Sequence, residues 1–167
     1  MLTVKEIVKQ LELQPHPEGG YFKETYRSDV QIPKTLLGDA FDGPRYVCTG
    51  IFYLLESGDF SALHKINQDE MWHFYLGDGL ELTQISESGE LSTITIGNDL
   101  LKGEVLQYVV PSQYWFGARV VKPNSFALVG CTVAPGFDFN DFILGDRDML
   151  LSKFPEHKDC IESLTRV

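Results

Sequence analysis

The sequence predicts an all-β chain, an antiparallel sandwich or barrel with short helices at its two ends. Three observations lead there. From residue 45 onward, runs rich in β-branched, aromatic and leucine residues recur at roughly ten-residue spacing. Turn residues divide one run from the next, among them Ser57-Gly58, Gly77-Asp78-Gly79 and Lys122-Pro123-Asn124. No run alternates with a long amphipathic pattern, as parallel βα units require.

The elements follow in order. Thr3 and Glu6 have capping-box spacing, and Val4, Ile7, Val8 and Leu11 recur at helical intervals, so a helix is expected over about residues 4–12. Pro15 and Pro17 stop it. Gly19-Gly20 then releases the chain into a strand over Tyr21 to Arg27. Residues 28–44, with Pro33, Gly38, Gly43 and Pro44, read as a long loop. Strands are expected at about 45–56, 59–66, 70–76, 79–86, 91–96, 104–110, 114–121 and 125–133. Helical pieces follow at 146–154 and 158–164. There is no internal repeat, low-complexity tract or linker, so a single domain over 1–167 is expected, with its core at about 20–140.

Composition narrows the function. With 43% hydrophobic and 23% charged residues, the 167-residue chain can bury a real core. Fourteen basic against twenty-four acidic residues give a formal charge of −10, a field that repels phosphate backbones and anionic lipid. No nucleic-acid or membrane partner is therefore expected, and no apolar stretch is long enough to span a bilayer. The N-terminus lacks the apolar stretch and small-residue cleavage site of a secretory signal, so a cytoplasmic location is expected. Cys48, Cys131 and Cys160 are too far apart for a CxxC site, and the first two read as core thiols.

One segment carries a motif. Gly58, five residues, His64-Lys65-Ile66, three residues, Glu70, six residues and Gly77 reproduce the spacing of the first cupin motif, with Ile66 in place of its second His. Pro111 and Trp115-Phe116 lie where the second motif falls, with Gln113 for its Gly and Phe116 for its His. Three further blocks are Pro15-His16-Pro17-Glu18-Gly19-Gly20-Tyr21-Phe22 through Ser28, Asp69 through Tyr75, and Pro135-Gly136-Phe137-Asp138-Phe139. Together they resemble the opening, middle and closing signatures of the DUF985 (Cupin_5) family of cupins, across about residues 4–154. The resemblance implies a double-stranded β-helix, the RmlC-like cupin jelly-roll barrel, usually dimeric, with a pocket inside the barrel. It implies no particular reaction.

The site residues are weighed accordingly. A cupin metal centre typically uses three His and one carboxylate. Only His64 and Glu70 stand at ligand positions here, so no cofactor is expected beyond, at most, a weakly held divalent metal. His73 lies three residues from Glu70 and points to the opposite face of the strand. His16, in its Pro-His-Pro turn, has no position readable from sequence.

His64 and Glu70 are the catalytic candidates, both facing the interior if the cupin register holds. An imidazole beside a carboxylate suits general acid–base work, as in the metal-free deoxysugar epimerases, where a Tyr stands opposite. Tyr75, Tyr108 and Tyr114 are the nominees for that Tyr. The same pair could instead only close the pocket as a buried polar contact. Trp72 and Phe74 share the parity of Glu70, and with Tyr21, Lys23, Tyr114, Trp115 and Phe116 they are candidate substrate-binding residues or plain core. Lys23, Thr25 and Arg27 share a face by simple alternation, solvated, covered in a dimer, or holding an anionic ligand group. The expected function is binding of a small polar or sugar-like molecule inside the barrel. The alternatives are a metal-free isomerase or epimerase with His64 as general base, a metal-dependent cupin enzyme with a reduced ligand set, and a barrel plugged by its own aromatics. A homodimer is the expected assembly.

Overall fold

The computed structural model describes residues 2–166. Helix α1 (Val4–Leu11) is followed by β1 (Gln14–Pro15), β2 (Tyr21–Arg27), β3 (Gln31–Ile32), β4 (Arg45–Tyr46), β5 (Thr49–Glu56), β6 (Phe60–Lys65) and β7 (Asp69–Gly77). Then come β8 (Leu80–Ile85), β9 (Leu91–Ile96), β10 (Gln107–Val110), β11 (Trp115–Val120), β12 (Phe126–Ala134), β13 (Ile143–Leu144), α2 (Arg147–Lys153) and α3 (Lys158–Ser163). The expected strands form within a few residues of their predicted bounds, and 28–44 is a loop with one two-residue strand and one turn of 3₁₀ helix. No helix among the described residues is long and apolar enough to cross a membrane.

The strands build a jelly roll of two facing antiparallel sheets, one in the order β1-β2-β5-β12-β7-β10 and the other β13-β6-β11-β8-β9. Alternation along each strand divides the side chains. On β5, Tyr53 and Leu55 turn inward, while Leu54 turns outward beneath α1. The helix is held at its start by the reciprocal Thr3–Glu6 capping box, worth about 1 kcal/mol. It lays Val4, Ile7, Val8 and Leu11 against Leu54 and Leu128 on the outer face of the first sheet. At the other end, α2 and α3 cover the outer face of the second sheet, packing Leu150, Phe154, Ile161 and Leu164 on Leu63, Ile85 and Trp115.

Between the sheets, one end of the barrel is solid. Trp72, Tyr53 and Phe116 fill it with Leu80, Leu82, Val120 and Val129. Tyr53 and Phe116 each meet the Trp72 ring edge-to-face, at 5.8 and 6.4 Å between centroids. Among the described residues the opposite end is left with a cavity, and that asymmetry places the site.

Two bulges adjust which residues look inside. On β2 the register with β5 shifts between Glu24 and Tyr26, so Arg27 joins Glu24 on the inward face. Simple alternation had put Arg27 with Lys23. On β6 the register with β11 shifts between His64 and Ser61, so both turn toward the interior.

Candidate functional site at the open end of the barrel

The open end holds a cavity of about 230 Å³. Its floor is built by β5 (Ile51, Tyr53), β12 (Cys131, Val133), His64 of β6 and Glu70 of β7. Its walls come from the turn before β2, which supplies His16 and Glu18, and from the segment after β12, which supplies Phe137, Phe139 and Phe142.

Glu18 is the residue that organises the interior. Its carboxyl is buried with its Oε2 3.2 Å from His64 Nε2 and 3.5 Å from His16 Nδ1. Ser61 Oγ donates to its other oxygen at 2.9 Å. The backbone explains how it gets there. Gly19 and Gly20 have φ of 120° and 68°, a conformation that favours glycine. A Cβ on Gly20 would sit 2.6 Å from the Leu54 carbonyl oxygen, and one on Gly19 would overlap the Phe60 carbonyl. The tight turn is pinned on β6 by the Ala62 N–H donating to the Glu18 carbonyl at 2.8 Å. The Arg166 guanidinium fastens it from outside, donating to the carbonyls of Glu18 and Phe60 and to Asp59.

The protonation pattern follows from geometry. His64 Nδ1 lies 2.7 Å from the Ala62 carbonyl oxygen, so it carries a hydrogen and donates it. Nε2 then presents a lone pair to Glu18 unless the ring is charged. Burial pushes the His64 imidazole down to about 4 and raises the Glu18 carboxyl. The contact has the length of an ion pair, yet both shifts favour the neutral arrangement, with the Glu18 carboxyl donating to His64 Nε2. His16 Nδ1 accepts from the Glu18 backbone N–H at 3.3 Å, and burial lowers its pKa as well.

Glu70 is the second buried carboxyl of the cavity, 8% exposed and on its floor. No cation pairs with it among the described residues; its neighbour is the Cys131 thiol. Burial raises it to about 8, with a further push from the Glu18 carboxyl when that group is ionised. Tyr53 OH donates to the Gly19 carbonyl at 2.8 Å, and burial raises its pKa well above the usual value.

The closing segment is clamped. Arg45, its side chain 3% exposed, donates through Nε and Nη2 to the two oxygens of Asp141 at 2.7 and 2.6 Å. Gln68 and Asn67 donate to the same carboxylate at 2.7 and 3.2 Å. Held this way, Phe137, Phe139 and Phe142 pack edge-to-face with centroids 4.9–6.3 Å apart beside the opening.

The residues singled out from sequence are distributed as follows. His64 and Glu70 both line the cavity, but the carboxylate against His64 is Glu18, because the double-glycine turn brings it across from another part of the chain. Trp72 faces inward as its parity requires and is consumed by core packing. Phe74 and Tyr114 pack against the same core, outside the cavity lining. Phe116 lies against the His64 ring at 4.1 Å, behind it as seen from the cavity residues. Trp115 faces outward beneath the C-terminal helices. Tyr21 packs on the α1 side, and Lys23 pairs with Glu12 at 2.5 Å on the exterior. Of the tyrosines nominated, Tyr75 is half-exposed, and Tyr108 OH accepts from Gln84 at 2.7 Å; Tyr53 is the one at the cavity. His73 bonds Thr132 Oγ1 at 3.0 Å away from Glu70, as its parity predicts.

A three-histidine, one-carboxylate metal centre does not fit these residues. Ile66 and the Phe116 ring occupy two of its positions, and His64 Nε2 is engaged by Glu18. No group of three or more His, Cys, Asp or Glu among the described residues is placed to hold a metal ion.

Comparison with known proteins bears on the family. Residues 5–145 match the model of Cupin_5, described as cupin superfamily (DUF985). The chain is 30% identical to Uncharacterized protein YML079W of Saccharomyces cerevisiae over 159 residues, covering 88% of this chain and 78% of the yeast protein. Among solved structures, protein SO0799 of Shewanella oneidensis superposes with a TM-score of 0.90 at 37% identity, covering 99% of both chains. A hypothetical protein from Leishmania major superposes with a TM-score of 0.91 at 30% identity, over 99% of this chain and 100% of that one.

Proposed function

The chain belongs to the Cupin_5 (DUF985) family of the cupin superfamily, and from that premise and the geometry of the cavity we propose that it binds a small polar molecule inside the open end of its barrel. The observation that carries this reading is the pairing of a cavity at the barrel mouth with buried polar groups that core packing does not explain. An apolar filling like that of the opposite end would be more stable than two buried carboxyls and an imidazole. A volume of about 230 Å³ lies just under the ~300 Å³ at which drug-sized pockets begin, which suits a metabolite of modest size. Aromatic and aliphatic walls with a few convergent polar tips are the usual composition of such sites.

The test is a metabolite screen by thermal shift on the wild type and on Val133→Phe, which fills the cavity from its floor. A ligand that raises the Tm of the wild type and not of the variant supports the reading. Hits that stabilise both proteins equally bind elsewhere and oppose it.

A second reading, metal-free proton transfer, is favoured by the Glu18–His64 contact. With its proton handed to His64 Nε2 at 3.2 Å, Glu18 is a carboxylate that can take a proton from a bound carbon acid and give it back to that carbon, while the His64 imidazolium balances its charge. Once a ligand is in hand, solvent deuterium entering one carbon of it supports this reading if Glu18→Gln abolishes the exchange while binding survives. Absence of exchange in the wild type leaves binding alone.

A further inference from the structure

Carboxyl groups outnumber cations around the cavity, and that surplus names a ligand class. Glu18, Glu24, Glu70 and Asp138 face it, against the single fixed cation Arg27. That cation is already committed: its Nε and Nη2 donate to the two oxygens of Glu24 at 2.9 and 2.6 Å, and both terminal nitrogens reach the Phe137 carbonyl at 3.4 Å. An anionic ligand would find no free guanidinium and would enter past Glu24 and Asp138. The carboxyl of Glu70 is more than nine-tenths buried, turned into the cavity, and has no ion-pair partner among the described residues.

Resting on the reading of this cavity as a binding site, we propose that its ligand is a small organic cation, a primary or secondary ammonium on an apolar body, whose charged end pairs with Glu70. Three features of the site suit that chemistry. The Glu70 carboxyl, protonated while no cation stands beside it, releases its proton to solvent as an ammonium enters and becomes the counter-ion that a buried cation needs. Phenylalanine rings 22, 137 and 142 bound the space where the rest of the molecule lies, and aromatic surface tolerates cations better than aliphatic surface does. The formal charge of −10 draws a cation toward the protein and disfavours an anion.

The test uses three probes of one shape and different charge: benzylammonium, benzyl alcohol and benzoate. Each is titrated calorimetrically into chelator-treated protein at neutral pH, and into the Glu70→Gln variant. The expected result is that benzylammonium binds at least about tenfold more tightly than benzyl alcohol, that benzoate does not bind, and that Glu70→Gln removes the preference while the alcohol still binds. Thermal unfolding of the variant checks that it is folded. Equal binding of alcohol and ammonium, or preference for benzoate, overturns the cation assignment and leaves the cavity a binding site. A preference for ammonium that survives Glu70→Gln moves the cation elsewhere and also overturns the assignment. Failure of all three probes at millimolar concentration overturns it too, and the cavity-filling screen then decides separately whether the site binds anything.

Discussion

Glu70→Gln should change the pH dependence of stability by an amount the structure sets. The native carboxyl holds its proton to about pH 8, whereas the unfolded chain releases it near 4.5. Between those values the native state binds more protons than the unfolded state, so stability falls as pH rises. The contribution is complete below pH 4.5 and is lost by the time pH passes through 8. At 1.36 kcal/mol per pKa unit, the gap corresponds to about 5 kcal/mol, an upper figure because water entering the cavity beside the carboxylate reduces it. Glutamine keeps the shape and cannot ionise. The stability of Glu70→Gln relative to wild type should therefore climb by about 1.4 kcal/mol per pH unit through this window and flatten on either side. The lost contact with the Cys131 thiol adds only a constant, since burial holds that thiol protonated well past this range. Urea denaturation of both proteins at a series of pH values, followed by tryptophan fluorescence, measures the difference directly. Parallel stability curves for the two would refute the placement of Glu70 as a buried carboxyl without a counter-ion.

Other expectations follow from the same interior. The His64 ring, lowered to about 4 by burial, should remain neutral by NMR at pH 5.5, and a midpoint between 6 and 7 would sink the neutral Glu18–His64 arrangement. Because the unfolded imidazole takes its proton near 6.5, this residue's contribution is lost as pH falls from 6.5 toward 4, opposite in sign to Glu70. Gly20→Ala should cost at least ~1–3 kcal/mol, because its φ of 68° is strained for alanine and the new Cβ meets the Leu54 carbonyl oxygen at 2.6 Å. A loss under half a kcal/mol in chemical denaturation would show that the turn has room to relax. Asp141→Ala should cost up to ~3–5 kcal/mol by leaving the buried Arg45 guanidinium only the exposed Asp42 carboxylate, 2.6 Å from its Nη2, and should speed hydrogen exchange over residues 135–142. Arg45→Met combined with Asp141→Leu should recover most of that loss, and no recovery would mean the clamp acts through more than its charges.

Much of the fold was legible because it is written in local chemistry. Helix α1 announces itself through Thr3, Glu6 and an apolar stripe at helical spacing, and both the cap and the stripe act over a few neighbouring residues. The strands are divided by turn residues whose preferences are equally local. Half of the site was legible through the cupin motif: the resemblance sets His64 and Glu70 toward the interior, and parity along the strand then sets His73 on the face opposite Glu70.

The other half was not. Glu18 and His16 lie in the quoted Pro-His-Pro-Glu-Gly-Gly block, and the double glycine was a visible signal of a tight turn. What the turn does depends on where Phe60 and Leu54 present their carbonyls, which are far away in sequence. Tyr53 shares its parity with Ile51, but parity does not say which end of a barrel is open.

Sequence by itself determined that this chain forms an antiparallel sandwich or barrel, and that His73 and Glu70 lie on opposite faces of their strand. Those properties are set by period-two alternation and by turn and cap preferences, whose range is a few residues. Only the tertiary structure decided that Trp72 and Phe116 plug one end and that a β-bulge turns Arg27 toward Glu24. It also decided that the carboxyl beside His64 is Glu18 rather than Glu70. These are outcomes of packing between segments brought together by folding: a bulge reverses parity, and volume decides which inward side chains fill space and which are left facing a cavity.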